Sequence, residues 1–193
     1  MASGSTPDGA ASSLPQPYGL SPLIRFTLIS LYGALVLPLP WLAPAELRIV
    51  LLLALPLGLL PLLALLSERV LLTESELQVG YPAWCNRWLR RGWSLPWTAI
   101  EGLTPVSTSQ GGRVYYLRRR PGAGDPKPQA YLLPQRLDRF EEFLGQLQQR
   151  TGIDTSQVVR LTPLWTYQLL AALSLLLLLG EAVALLKGWT VPG

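Results

Sequence analysis

The chain has 193 residues, 49% of them apolar and only 15% charged, and its 16 Lys plus Arg against 12 Asp plus Glu leave a formal charge of +4. His is absent and Cys85 is the single cysteine. These absences exclude a Ser-His-Asp triad, a Cys-His dyad, a two-His facial triad, a CxxC ligand pair and a disulfide within the chain.

The first segment, 1–22, is rich in Ser, Pro, Gly and Ala and is expected to be a disordered tail. Three uncharged windows set the architecture. There are 20 residues between Arg25 and Glu46, 19 between Arg48 and Glu68, and 20 between Arg160 and Glu181. At about 1.5 Å per residue, each covers the roughly 30 Å of bilayer hydrocarbon. Apolar residues occupy every face of the second and third windows, unlike the single stripe of a soluble helix. Pro38, Pro40 and Pro44 crowd the end of the first window, so 23–68 reads as a transmembrane helical hairpin. Pro56 and Pro61 should bend its second helix. The second window holds no ionisable group, which argues against a solute path there. A third transmembrane helix is expected over 161–186, with 187–193 as a short tail.

From Ser67 to Thr162 there are 13 Lys plus Arg and 9 Asp plus Glu, the whole net charge of the chain. The positive-inside rule places this segment and the N-terminus in the cytoplasm, with most weight on Arg69 and Arg160 beside the membrane. Its residues read mostly as short strands. Arg69–Thr73 and Leu77–Tyr81 flank a polar turn; Glu101–Val106 pairs with a strand starting at Arg113; and Gln129–Leu133 follows a Pro/Gly-rich loop. Trp84, Trp88, Trp93 and Trp97 either build the core of a small sheet or form a face against headgroups or a partner. Cys85 among them reads as a small apolar filler. Leu137, Phe140, Leu144 and Leu147 mark an amphipathic helix over about Gln135 to Thr151, stopped by Gly152. The fold class is therefore membrane α plus small β: three transmembrane helices, a hairpin plus one, with a small β-barrel or bent sheet over 69–160 capped by a C-terminal amphipathic helix.

Leu72-Thr73-Glu74-Ser75-Glu76-Leu77 after a hairpin, and Leu95-Pro96-Trp97-Thr98-Ala99-Ile100, resemble the bacterial pleckstrin-homology-like membrane proteins over about Arg69 to Arg150. Phe140-Glu141-Glu142-Phe143-Leu144, Thr151-Gly152-Ile153-Asp154 and Arg25-Phe26-Thr27-Leu28 look like uncharacterised membrane proteins of cyanobacteria and plastids. The resemblance implies a PH-like fold in a thylakoid or plasma membrane and no shared catalytic residues.

Arg118-Arg119-Arg120 and Arg90-Arg91 are the basic clusters, and with Trp88 and Trp93 they are the expected partner- or lipid-binding residues. Their alternative reading is a solvated strand end on the cytoplasmic side. Glu74 with Glu76 and Glu141 with Glu142 lack the unequal environments that an acid-base pair needs. No metal or other cofactor, no nucleic acid and no small-molecule substrate is expected. The expected partners are membrane lipids and a membrane protein complex. The functional expectation is a non-enzymatic scaffold or assembly factor, with photosystem biogenesis as a natural client in thylakoids; the alternative is a sensor of anionic lipids.

Overall fold

The computed structural model describes residues 15–86, 89, 92–109, 111–121 and 129–187. Among them, three helices are long and apolar enough to cross a membrane: Pro22–Leu42, Ala45–Leu65 and Leu164–Leu186. The first divides into α1 (Pro22–Val36) and a short α2 (Leu39–Leu42), separated at Leu37 and Pro38. Pro22 suits the first turn, where its missing N–H is not needed and its φ is already helical. Pro44 caps α3 (Ala45–Leu65), and Arg48 Nε donates to the Pro40 carbonyl at 3.2 Å across the hairpin tip. α3 runs through Pro56 and Pro61 without a break in helical assignment.

α1 packs mainly on α5 (Leu164–Leu186) through small residues. Thr27, Ser30 and Ala34 are buried on α1, Ala171 and Ser174 on α5. Small side chains let backbones approach where lipid supplies no hydrophobic drive for association. Thr27 Oγ1 lies 2.8 Å from its own helix at Leu23 O and 3.1 Å from Tyr167 O on α5; its one proton serves either. α3 stands more apart and buries only Ala64. It is linked to α1 by the Tyr32 hydroxyl, which donates to Leu55 O at 2.5 Å, and by Arg25 Nη2, which donates to Leu66 O at its C-terminal end at 3.2 Å. Gly58 makes room for Tyr32, since a Cβ there would sit 2.7 Å from its hydroxyl.

Among the described residues, seven strands form two antiparallel sheets. The first is ordered β1 (Gln16–Gly19), β2 (Arg69–Leu72), β3 (Glu76–Gly80) and β4 (Trp93–Pro96). After a 3₁₀ turn at Trp97–Ala99, the second is ordered β5 (Ile100–Ser107), β6 (Arg113–Arg119) and β7 (Gln129–Leu132). Val70, Leu72, Leu77, Val79, Leu95, Tyr115 and Leu117 alternate inward, as the two-residue period of a strand demands. α4 (Phe140–Thr151) covers that core with Phe140, Phe143, Leu144 and Leu147.

Three expectations need correction. The tail reading of 1–22 fails from Gln16 onward: Gln16–Gly19 pairs with Leu72–Arg69, and Tyr18 is 1% exposed in the core, its ring edge-on to Phe143 at 5.7 Å. The transmembrane hairpin is thus inserted between the first and second strands of one sheet. Pro17 is tolerated because β1 is an edge strand. Second, α4 starts at Phe140 rather than Gln135, because the preceding residues pair with the end of β1. Ser21 N donates to Arg136 O at 3.0 Å and Asp138 N to Gly19 O at 2.8 Å. Third, among the described residues the sheets do not join into a closed barrel; an isolated bridge, Leu20 to Leu137, instead ties the end of β1 to the segment leading into α4.

Polar side chains fasten these pieces together. Glu142 of α4 accepts from Gln16 Nε2 at 2.6 Å and Tyr18 OH at 3.1 Å, and pairs with Arg139 at 3.4 Å. Burial first, and then the Glu142 hydrogen bond, push the Tyr18 phenol up to about 12. The Thr73 carbonyl accepts from both Trp97 Nε1 and Arg150 Nη1 at 3.0 Å, with the Arg150 guanidinium 5.3 Å from the Trp97 ring centroid. Buried Gln135 donates to Arg113 O and Val159 O, tying β6 to the chain that leads into α5.

Candidate functional site

Strand register gives the domain two distinct ends. β1 runs into α1 at Pro22, α3 runs out into β2 at Arg69, and Gly19 faces Arg69, which faces Gly80. Trp93 pairs with Val79 beside them. The β5–β6 turn joins this end, since a Cβ on Gly112 would lie 3.0 Å from Leu161, three residues before α5. All three membrane crossings therefore leave one end. The other end carries the Thr73–Ser75 turn, Pro96, Arg119 and the last turn of α4.

A cleft of about 700 Å³ opens at the membrane end, between the β3–β4 side of the first sheet and the β6–β7 side of the second. Trp93, Val114, Tyr116, Leu132 and Leu137 give it apolar walls. Trp93 is braced by Tyr131, ring centroids 4.9 Å apart. Glu68 and Arg136 are the charged groups that line it. Burial raises the Glu68 carboxyl above its ordinary range, and Arg136 works in the opposite direction. A second hollow of about 610 Å³, lined by Arg69, Gln78 and Asn86 among others, shares Val79, Gly80, Tyr81, Gly92 and Trp93 with the first. Gly92 crosses the first sheet's backbone so closely that a Cβ would meet Val79 O at 2.5 Å and Gly80 Cα at 2.9 Å.

The residues singled out in the sequence do not gather here as one group. Trp93 lines the cleft. Trp88, Arg90 and Arg91 lie outside the described residues. Arg118, Arg119 and Arg120 stand at the far end of β6, about 20 Å along the strand from its membrane end. Strand alternation splits them as well. Arg118 and Arg120 are exposed, whereas Arg119 turns the other way and donates to Gln129 Oε1 at 3.0 Å. The three described tryptophans of that run also divide: Trp97 is core, Trp93 is half-buried, and Trp84 is 57% exposed on the β3–β4 connection. Cys85 beside it is buried, with Sγ 3.5 Å from Pro82 O. Among the described residues no three His, Cys, Asp or Glu side chains are grouped to hold a metal ion.

Sequence reasoning missed Leu20, Glu68, Arg136 and Leu161. Three of them had a usable signal, because they lie at or just beyond the ends of the apolar segments, where the chain enters the domain. Arg136 had none, because it falls inside the segment whose apolar spacing reads as an amphipathic helix.

These features define an integral-membrane class of chain: three apolar helices that converge on one end of a small two-sheet domain. No family model and no solved structure matches it. It is 38% identical over 180 residues to the Uncharacterized protein slr0269 of the cyanobacterium Synechocystis sp., covering 91% of this chain and 88% of that protein. The chain belongs to the family of that cyanobacterial protein.

Proposed function

We infer that this chain is a non-enzymatic scaffold or assembly factor for a membrane protein complex, with a PH-like domain held on the cytoplasmic side of a thylakoid or plasma membrane. The observation that carries the reading is the insertion of the hairpin between β1 and β2. A domain whose first strand lies on the other side of the hairpin in sequence cannot swing on a linker. Whatever docks on it is held in a fixed relation to α1, α3 and α5. Tethering of this kind raises the effective concentration of membrane neighbours, so weak contacts suffice.

Two packed antiparallel sheets covered by a C-terminal helix agree with the PH-like resemblance. Arg25, Arg69 and Arg160 beside the crossings support the cytoplasmic side under the positive-inside rule. The cyanobacterial relative makes a thylakoid client, with photosystem biogenesis as its process, the natural choice. Anionic-lipid sensing through Arg118, Arg119 and Arg120 draws no support from their place at the end remote from the crossings.

The test is purification of the tagged full chain from native membranes in mild detergent, with crosslinking and mass spectrometry. Reproducible crosslinks from the domain to one membrane complex are expected. Repeated purifications in which no protein co-enriches would overturn the reading.

A further inference from the structure

The three crossings frame the cleft itself. Leu20 precedes the α1 cap by one residue, Glu68 follows α3 by three, Leu161 precedes α5 by three, and all three line it. The cleft therefore opens where the helices meet the headgroup layer. Its volume falls within the range of small-ligand sites and its walls are apolar. At that depth the bilayer's own amphiphiles are by far the most concentrated candidates to fill it.

Charge selects among them. Arg136 lines the cleft, and exposed Arg69 lines the adjoining hollow across Gly80 and Gly92. The opposing carboxylate is Glu68, and its burial favours the neutral form. A basic rim above an apolar slot at a membrane surface suits an anionic headgroup with its chains below. We propose that the cleft seats one bilayer lipid with an anionic headgroup, its acyl chains against Trp93, Tyr116 and Leu132 and its headgroup at Arg136 and Arg69. This goes beyond the scaffold reading and shares with it only the membrane setting.

The experiment uses the full chain reconstituted in phosphatidylcholine vesicles containing a minor fraction of phosphatidylglycerol, extracted in mild detergent and weighed by native mass spectrometry. One phosphatidylglycerol per chain is expected to remain bound in preference to phosphatidylcholine. Arg136→Gln should weaken retention about fivefold, the effect of one basic residue near an anionic surface. Ala130→Trp places a large ring at an exposed position of the cleft wall and should abolish retention. Arg139→Gln, at the start of α4 and not part of the cleft lining, should leave it unchanged. Equal retention of the two lipids, indifference to Ala130→Trp, or loss with Arg139→Gln overturns the proposal, as does displacement of the lipid by free glycerol phosphate. Thermal melting of each variant separates a lost site from a lost fold, and Leu132→Trp replaces Ala130→Trp if the latter does not fold. Co-purification of protein partners is read independently, so failure here and failure of the scaffold reading are distinguishable.

Discussion

The two ends of the domain are built on opposite plans. At the far end, one carbonyl, that of Thr73, collects the Trp97 indole and the Arg150 guanidinium, and Arg150 also covers the Trp97 ring. Strand turn, 3₁₀ turn and helix end are pinned at one point. At the membrane end the sheets part, glycines cross at Gly80 and Gly92, and Trp84 stands exposed beside an open cleft. The difference teaches that the closed end supplies stability and leaves the open end free to meet the membrane and its contents. Inserting a hairpin into the sheet is compatible with this division, because the chain leaves and returns at the open end.

The largest expected effect comes from breaking the closed end. Trp97→Ala removes a nearly buried ring, its indole donor to Thr73 O and the face that Arg150 covers, and should cost about 3–5 kcal/mol in equilibrium unfolding of the detergent-solubilised chain. A loss below about 1 kcal/mol would show that the far end is not the anchor. Gly92→Ala attacks the open end through backbone crowding rather than lost packing. A Cβ aimed at Val79 O and Gly80 Cα should cost about 1–3 kcal/mol and should disturb the Val79–Trp93 pairing, which cross-strand amide exchange would report.

A smaller effect sharpens the join between β1 and α4. Tyr18→Phe removes the hydroxyl donated to Glu142 and should cost about 1 kcal/mol at neutral pH. The Tyr18 phenol is raised to about 12 in the folded chain from its ordinary value of 10.0. Its contribution is thus fully present below pH 10 and is lost as pH rises toward 12, because the unfolded chain ionises first. The stability difference between the native chain and the Phe variant should shrink over that window, and a constant difference would contradict the assignment. The smallest effect belongs to Trp84→Ser. On an exposed side chain it should change unfolding in detergent by less than about 0.5 kcal/mol, while reducing the domain's protection by added vesicles in limited proteolysis.

The same contrast explains what could be read in the sequence. The three helices were legible because an uncharged stretch long enough for a bilayer leaves little alternative. β2, β3, β5, β6 and β7 were legible because Val70, Leu72, Leu77, Val79, Tyr115 and Leu117 alternate and Gly or Pro mark the turns. β1 was not legible: Gln16-Pro17-Tyr18-Gly19 has one core residue, and its pairing partner lies some 50 residues on, beyond the hairpin. The start of α4 was misplaced because Leu137 satisfies both a helical period and a bridge to Leu20. The cleft was invisible for the same reason as β1, since its lining comes from seven separate parts of the chain. The Arg118 triplet was conspicuous because its residues are adjacent, but adjacency in a strand sends them to opposite faces.

The account rests on β1 being an integral strand of a domain that lies mostly beyond the hairpin, and hydrogen exchange on the full chain in lipid nanodiscs tests this most directly. The amides of Gln16 and Tyr18 should be protected to about the level of their partners in Arg69–Leu72, and Tyr18→Phe should lower the protection of both segments together. Exchange of residues 16–19 at the rate of an unstructured tail, with β2 still protected, would contradict the inserted hairpin and the rigid platform inferred from it.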